Sequence, residues 1–352
     1  MKTFNIALLP GDGIGKEVVP AAVRILQAAA QDVQFSFHSF EWGCEYYLRV
    51  GRMMPEDALD QLRAFDAVLL GAIGHPTVPD HISLRECLLK IRFQFDLYVN
   101  LRPVEVLPGI DSPLRGKTAK DINMLFVREN SEGEYSGLGG RFKRGTPDEV
   151  AVQETIFTHK GVERIVRYAF EHARRRSKRL ASATKSNAMQ YAAVMWDEVV
   201  REVGREFPDV KVSSYHVDAL AARMISAPES LDVVVGSNLF TDILTDIGGA
   251  IQGSLGLAAS ANLNPTERLG PPVFEPVHGS APDIEGRGIA NPIAATWAAS
   301  MMMEHQGEPE TAARMMNALK SVAGEGRFRT PDLGGSSTTE EFTNAVISKL
   351  NA

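Results

Sequence analysis

The sequence predicts an α/β protein with a mostly parallel sheet flanked by helices. Two observations carry that expectation. Short apolar runs alternate with longer amphipathic runs along the chain, the pattern of strands connected through covering helices. With 352 residues, 44% hydrophobic and 23% charged, the chain is also long enough for two domains or one large α/β unit.

The elements follow in order. Phe4–Leu9 reads as a short buried strand and Lys16–Ala30 as the helix after it. Phe65–Leu70 (FDAVLL) is a strand stopped by Gly71. Asn123–Val127, Arg179–Ala183, Lys211–Tyr215 and Leu231–Val235 repeat that style. Lys160–Arg176 and Asn187–Glu206 carry the helical period between them. The Gly/Pro-rich stretches Leu107–Gly116 and Ser136–Pro147 read as loops or excursions. Arg174–Arg179 (RRRSKR) reads as a solvated helix end rather than an anion site.

Composition excludes several classes. A net charge of −7 argues against a general nucleic-acid binder. No uncharged apolar run reaches the roughly 18 residues of a membrane span. The first residues lack the apolar core of a secretory leader. Cys44 and Cys87 form neither a metal-type cluster nor a disulfide framework, so a reduced cytoplasmic setting is expected.

The opening loop LPGDGIGKEV (Leu9–Val18) invites a phosphate-binding reading. The dinucleotide fingerprint G-x-G-x-x-G fails because Lys16 stands at its last position. The P-loop fails because Pro10 and Glu17 replace its first Gly and its Ser/Thr. A strand-to-helix turn that needs positive φ explains the glycines equally well.

Charge converges at three other places. In LDVVVGSNLFTDILTDIGG, Thr241 is expected to cap a helix starting near Asp242, and Asp246 then lies one turn on, on the same face. The pair reads either as oxygen ligands for Mg²⁺ or Mn²⁺ or as an acidic first turn complementing the helix dipole. The dipole explains Asp242 better than Asp246. Arg92, Arg102 and Arg128 lie near the ends of apolar runs, where their forks suit carboxylates. Ion pairing with Asp96, Glu129 or Glu132 is the structural alternative. Lys185 follows the strand Arg179–Ala183, where desolvation would make it a base, and Tyr135 sits in a polar loop as a candidate proton donor. Taken singly, a solvated or ion-paired lysine and a packed tyrosine are the commoner roles.

LLPGDGIGKEV, DLYVNLRP, VRENSEGEYSG, ATKSNAM, SNLFTDILTD and EPVHGSAPDIEGRGIANP occur in that order. Together they resemble the β-decarboxylating dehydrogenases, the family of isocitrate, 3-isopropylmalate and tartrate/D-malate dehydrogenases. FEWGCEYYLRVGRMMPEDAL, VPDHISL and SANLNP resemble the tartrate/D-malate branch most.

The resemblance implies the two-domain isocitrate/isopropylmalate dehydrogenase-like fold, not a Rossmann fold. Residues 1–101 plus 255–352 would form a large domain with most of the cofactor site, and 102–254 a small domain with the dimer interface. It implies a homodimer with shared active sites. Asp242 and Asp246 of one subunit and Asp218 of the other would hold Mg²⁺ or Mn²⁺. Lys185, also reaching across from the other subunit, would take the substrate hydroxyl proton, Tyr135 would return one, and Arg92, Arg102 and Arg128 would grip carboxylates. Ser83, Arg85 and Leu88, in VPDHISLRECLLKIR, would line the far end of the substrate. Arg85 stands where the branch has tryptophan and would suit a further carboxylate. The cofactor loop would comprise Glu275, His278, Gly279, Ser280, Ala281, Asp283 and Asn291, with Ile73 and Asn187 beside it. Asp283 implies NAD, because a carboxylate repels the 2′-phosphate of NADP; a monovalent cation such as K⁺ would assist. The expected reaction is oxidation and β-decarboxylation of a small 2-hydroxy dicarboxylate, most simply D-malate or tartrate. Two readings stand beside it: a 3-isopropylmalate dehydrogenase of leucine biosynthesis, and a catalytically silent metabolite-binding protein. His75 and His81 read as loop residues.

Overall fold

A computed structural model describes residues 2–351. Twelve strands run through them. The first six are β1 (Lys2–Gly11), β2 (Val33–Ser39), β3 (Ala67–Ala72), β4 (Val99–Glu105), β5 (Asn123–Glu129) and β6 (Gly139–Phe142). The others are β7 (Val150–Gln153), β8 (Arg179–Thr184), β9 (Lys211–His216), β10 (Val233–Gly236), β11 (Ala259–Leu263) and β12 (Val273–Pro276).

The chain divides into two units. One comprises 1–97, 103–122 and 248–352, the other 98–102 and 123–247. Residues 103–122 and 248–254, expected with the middle segment, therefore group with the termini, and residues 98–101, expected with the termini, group with the middle segment.

In the first unit the strand order is β2-β1-β3-β12-β11. β1 pairs in parallel with β2 and β3, β3 with β12, and only β11–β12 is antiparallel there. β3 (AVLLGA) is buried throughout, as a parallel strand covered on both faces must be. Val18, Val19, Ala22, Ile25, Leu26 and Ala29 line the buried stripe of helix Gly15–Ala29, at the 3.6-residue period that the sequence displays. Helix Ile293–His305 is apolar nearly all round, and ten of its thirteen residues are buried.

In the second unit the order β5-β10-β8-β9 is wholly parallel. Its central strand, VVVG, is fully buried. Helix His159–Arg175 is capped by Thr158, whose side chain accepts from Gly161 N. The basic run beyond it is ion-paired: Arg174 and Lys178 reach Asp209, and Arg176 reaches Asp232.

Three local expectations change. Helix Ala192–Gly204 begins five residues later than expected, leaving Asn187 in the preceding turns. The excursion after Ser136 contains β6, paired antiparallel with β7. His81 is helical, within Asp80–Leu84.

Candidate functional site

In the second unit, β5 delivers Arg128 and helix Asn238–Ile251 delivers its partners. The helix begins at Asn238, four residues before the expected start. Thr241 therefore lies inside it, its hydroxyl turned back to the Ser237 carbonyl. Asn238, Asp242, Thr245 and Asp246 share one face by their spacing. Arg128 donates from Nε and Nη2 to Asn238 Oδ1, at 3.0 and 2.6 Å, and from Nη1 to Asp242 Oδ1. Arg102 donates to Asn100 Oδ1 at 2.8 Å and Thr245 Oγ1 at 2.7 Å, and lies 3.2 Å from Asp242 Oδ1. Tyr135 donates to Asp242 Oδ2 at 2.8 Å. One carboxylate thus gathers two arginines and a phenol, while its own side chain stays 33% exposed.

Asp246 makes no hydrogen bond or ion pair among the described residues. Burial and the neighbouring Asp242 push its carboxyl up, against the pull of Arg102 and Arg128. Burial, then Asp242, pushes the Tyr135 phenol up, so it keeps its proton at neutral pH.

Lys185 and Asp218 form a separate pair at 2.9 Å. Parallel pairing of β8 with β9 sets Thr184 opposite His216, which brings the residues just beyond the two strand ends together. Hydrogen bonding to Lys185 pulls the exposed Asp218 carboxyl down. Among the described residues of one chain, no three acids, imidazoles or thiols form a metal-sized group.

The first unit holds the other candidates. Glu275, at the end of β12, accepts at Oε1 from Arg92 at 2.7 Å and Asn262 at 2.8 Å. Arg92 follows a π-helical turn, Arg85–Leu89, a wide turn often found at functional sites. Ser83 is buried and donates to the Asp80 carbonyl, and Leu88 packs in the apolar core with Phe40 and Trp42. Arg85 is exposed. Ile73, just past β3, is half-buried against that core.

Beyond Glu275 the chain becomes an open loop. His278 Nδ1 donates to the Gly279 carbonyl, which leaves a buried Nε2 without a protein partner. Burial holds this imidazole below its usual range, so it is neutral with an acceptor to offer. A Cβ on Gly279 would meet nothing within 4 Å, so the backbone there is open to a ligand. Ser280 is buried, Ala281 has φ of 42°, and Asp283 is exposed. Asn291 is buried, bonded to Asp332 Oδ2 at 3.0 Å and Ile293 N at 3.0 Å.

Asn100, Asn238, Thr245 and Asp332 are site residues absent from the sequence reading. Asn238 and Thr245 were legible in principle from helical spacing to Asp242, and Asn100 from its place two residues before Arg102 on one strand face. Asp332, which also gathers Ser254 and Thr330, gives no such signal.

The chain is 51% identical to a decarboxylating D-malate dehydrogenase of Escherichia coli, over 98% of each chain. It is 50% identical to a probable tartrate dehydrogenase/decarboxylase of Bacillus subtilis, over 99% of each. An isocitrate dehydrogenase structure from Methylococcus capsulatus superposes with a TM-score of 0.90 at 36% identity, covering 99% of this chain and 100% of that one. Residues 5–346 match the sequence profile for isocitrate/isopropylmalate dehydrogenases, and the chain belongs to that family.

Proposed function

We propose that the chain is a metal-dependent, NAD-linked oxidative decarboxylase of a small 2-hydroxy dicarboxylate, D-malate or tartrate. The relatives named for those activities support the reading, and the Asp242 cluster carries it. Arg102 and Arg128 bring two positive charges; Asp242 and Asp246 bring two negative ones. A divalent cation and a dicarboxylate dianion entering together keep that balance, whereas either alone upsets it.

The donor set suits a hard cation. Asp246 is an unpaired, partly desolvated carboxylate one turn from Asp242. Asp242 and Asp246, with Asp218 of the partner subunit, would hold Mg²⁺ or Mn²⁺. Bound there, the metal would polarise the 2-oxygen and the dinucleotide would serve as hydride acceptor. Arg102 and Arg128, fixed by Asn100, Thr245 and Asn238, orient the carboxylates, with Arg92 as the third arginine assigned to them. Lys185 of the partner subunit takes the hydroxyl proton. Tyr135, still protonated at neutral pH, returns a proton to the carbon that loses CO₂.

The loop Glu275–Asn291 would hold the dinucleotide, with the free Nε2 of His278 accepting a hydrogen bond and Ser280, Ala281, Ile73 and Asn187 alongside. Exposed Asp283 favours unphosphorylated ribose, hence NAD. Ser83, Arg85 and Leu88 set the substrate end; Leu88 does so from the core. A monovalent cation such as K⁺ assists.

The active form is a homodimer with shared sites, in a reducing cytoplasm that keeps buried Cys44 and Cys87 as thiols. Phe142, Val150 and Val152 share one face of the β6–β7 hairpin and are 67%, 51% and 48% exposed, a face that calls for a cover. Ile243, 54% exposed, extends that need to the helix bearing Asp242.

The test is NADH formation by folded protein with Mn²⁺ and D-malate, tartrate, 3-isopropylmalate or isocitrate. Turnover of D-malate or tartrate is expected, and Lys185→Ala should cut kcat by about 10²–10⁴. No turnover with any of them would refute the activity. A higher kcat/KM for 3-isopropylmalate would move the substrate.

A further inference from the structure

The opening glycine loop, which fits no phosphate-binding template, touches the proposed dinucleotide loop at both ends of a short exposed span. At one end, Ile14 N donates to the Ser280 carbonyl at 2.9 Å. Gly13, at φ +55°, lies so close that a Cβ there would come within 2.0 Å of that same oxygen. At the other end, Glu17 Oε1 accepts from Gly286 N at 2.8 Å, and Lys16 Nζ lies 3.2 Å from Glu285 while also pairing with Glu45. The first residues of helix Gly15–Ala29 thus grip residues 285 and 286 from one side.

Between the two grips lie residues 281–284. Ala281 has φ of 42°, a left-handed conformation that a non-glycine residue adopts only when its surroundings hold it. Asp283 is exposed and makes no hydrogen bond or ion pair among the described residues. The span is a turn closed by Ile284 N donating to the Ala281 carbonyl at 3.1 Å, and its two ends fasten that turn to the opening loop. The opening loop is fastened in turn by buried Asp12, which accepts from Cys44 N at 2.9 Å and Gly74 N at 3.0 Å.

We propose that Lys16 and Glu17 are positioning residues that latch the loop at Glu285 and Gly286 and so set dinucleotide affinity. The inference rests on the cofactor role proposed for Glu275–Asn291. Neither side chain needs to touch the ligand. Each acts by reducing the freedom the loop loses when the ligand binds.

The test is NADH binding by fluorescence titration, with steady-state kinetics, for Glu17→Ala, Glu17→Gln, Lys16→Met and, as reference, Asp283→Ala. Glu17→Ala and Lys16→Met should raise the NADH Kd about three- to tenfold, in line with one lost charge-assisted bond. The KM for the hydroxy acid should move less than about twofold, and Glu17→Gln, which keeps an acceptor oxygen, should restore most of the binding. A general loosening of the fold would instead shift both KM values and lower the thermal midpoint. Wild-type NADH affinity in Glu17→Ala and Lys16→Met, with Asp283→Ala weakened, overturns the latch alone. Unchanged affinity in Asp283→Ala overturns the loop as the dinucleotide site, and the latch with it.

Discussion

Two arginine–carboxylate contacts in this chain differ in how open they stand to a ligand. Arg92 and Glu275 seal each other off, both side chains 5% exposed, and Asn262 closes the pair further. Arg128 is as deeply buried, yet its acid, Asp242, keeps a third of its side-chain surface open and also takes Arg102 and Tyr135. A sealed pair has made its contacts, so a carboxylate ligand reaches Arg92 only by displacing Glu275. A pair whose acid faces solvent, beside a second acid that takes no hydrogen bond, can still accept a ligand. Burial of the arginine does not distinguish the two; exposure of its partner does.

The largest effect should come from the open end. Asp246→Asn removes a hard ligand without changing shape, and Mn²⁺-dependent NADH formation should fall by at least about 10³-fold with the fold intact by circular dichroism. Mn²⁺ activation equal to wild type would make Asp246 an ordinary surface acid.

Next is the sealed pair. Arg92→Met strands Glu275 in an apolar setting and should lower unfolding free energy by about 3–5 kcal/mol, read from the urea midpoint. Arg128→Met should lower it by only about 1–2 kcal/mol, since Arg102 and solvent still serve Asp242, while activity collapses. Equal stability losses would erase the distinction.

The third test uses Glu129, the residue after Arg128. It is wholly buried and accepts from Ser131 N, Ser131 Oγ and Glu132 N. Burial pushes its carboxyl up from 4.5 to about 7. Between those values the native state binds the proton that the unfolded state has released, so this group's contribution to stability declines as pH rises from about 4.5 to 7. The decline should reach roughly 3 kcal/mol. Glu129→Gln should flatten that slope in urea titrations at several pH values; an unchanged slope would mean the carboxyl ionises freely.

The smallest effect belongs to the exposed loop. Asp283→Lys swaps repulsion of a 2′-phosphate for attraction and should shift the NAD/NADP ratio of kcat/KM by about tenfold toward NADP. An unchanged ratio would remove Asp283 from ribose recognition.

Much of this was legible along the chain. The apolar runs that predict β1, β3, β5, β8, β9 and β10 contain or overlap the strands observed, and Lys160–Arg176 is helical within a residue at each end. Asp242 and Asp246 share a helix face as their spacing demands. Two helices start away from their expected positions: Asn238 opens one earlier, and Ala192 opens another later, than local capping signals suggest. The three arginines looked alike in sequence. Their partners lie 183 residues away for Arg92 and 114 for the Arg128–Asp242 contact, beyond the reach of any local pattern.

The sequence by itself determined the alternation of strands and helices, the two acids one turn apart and the glycine turn before the first helix, because side-chain period and backbone sterics act over a few residues. Only the tertiary structure decided which carboxylate each arginine takes, how much water that carboxylate keeps, and that the opening loop braces the segment around Asp283. Those outcomes depend on desolvation at contact distance, and contact distance is set by sheet order and crossover, not by neighbours in the chain.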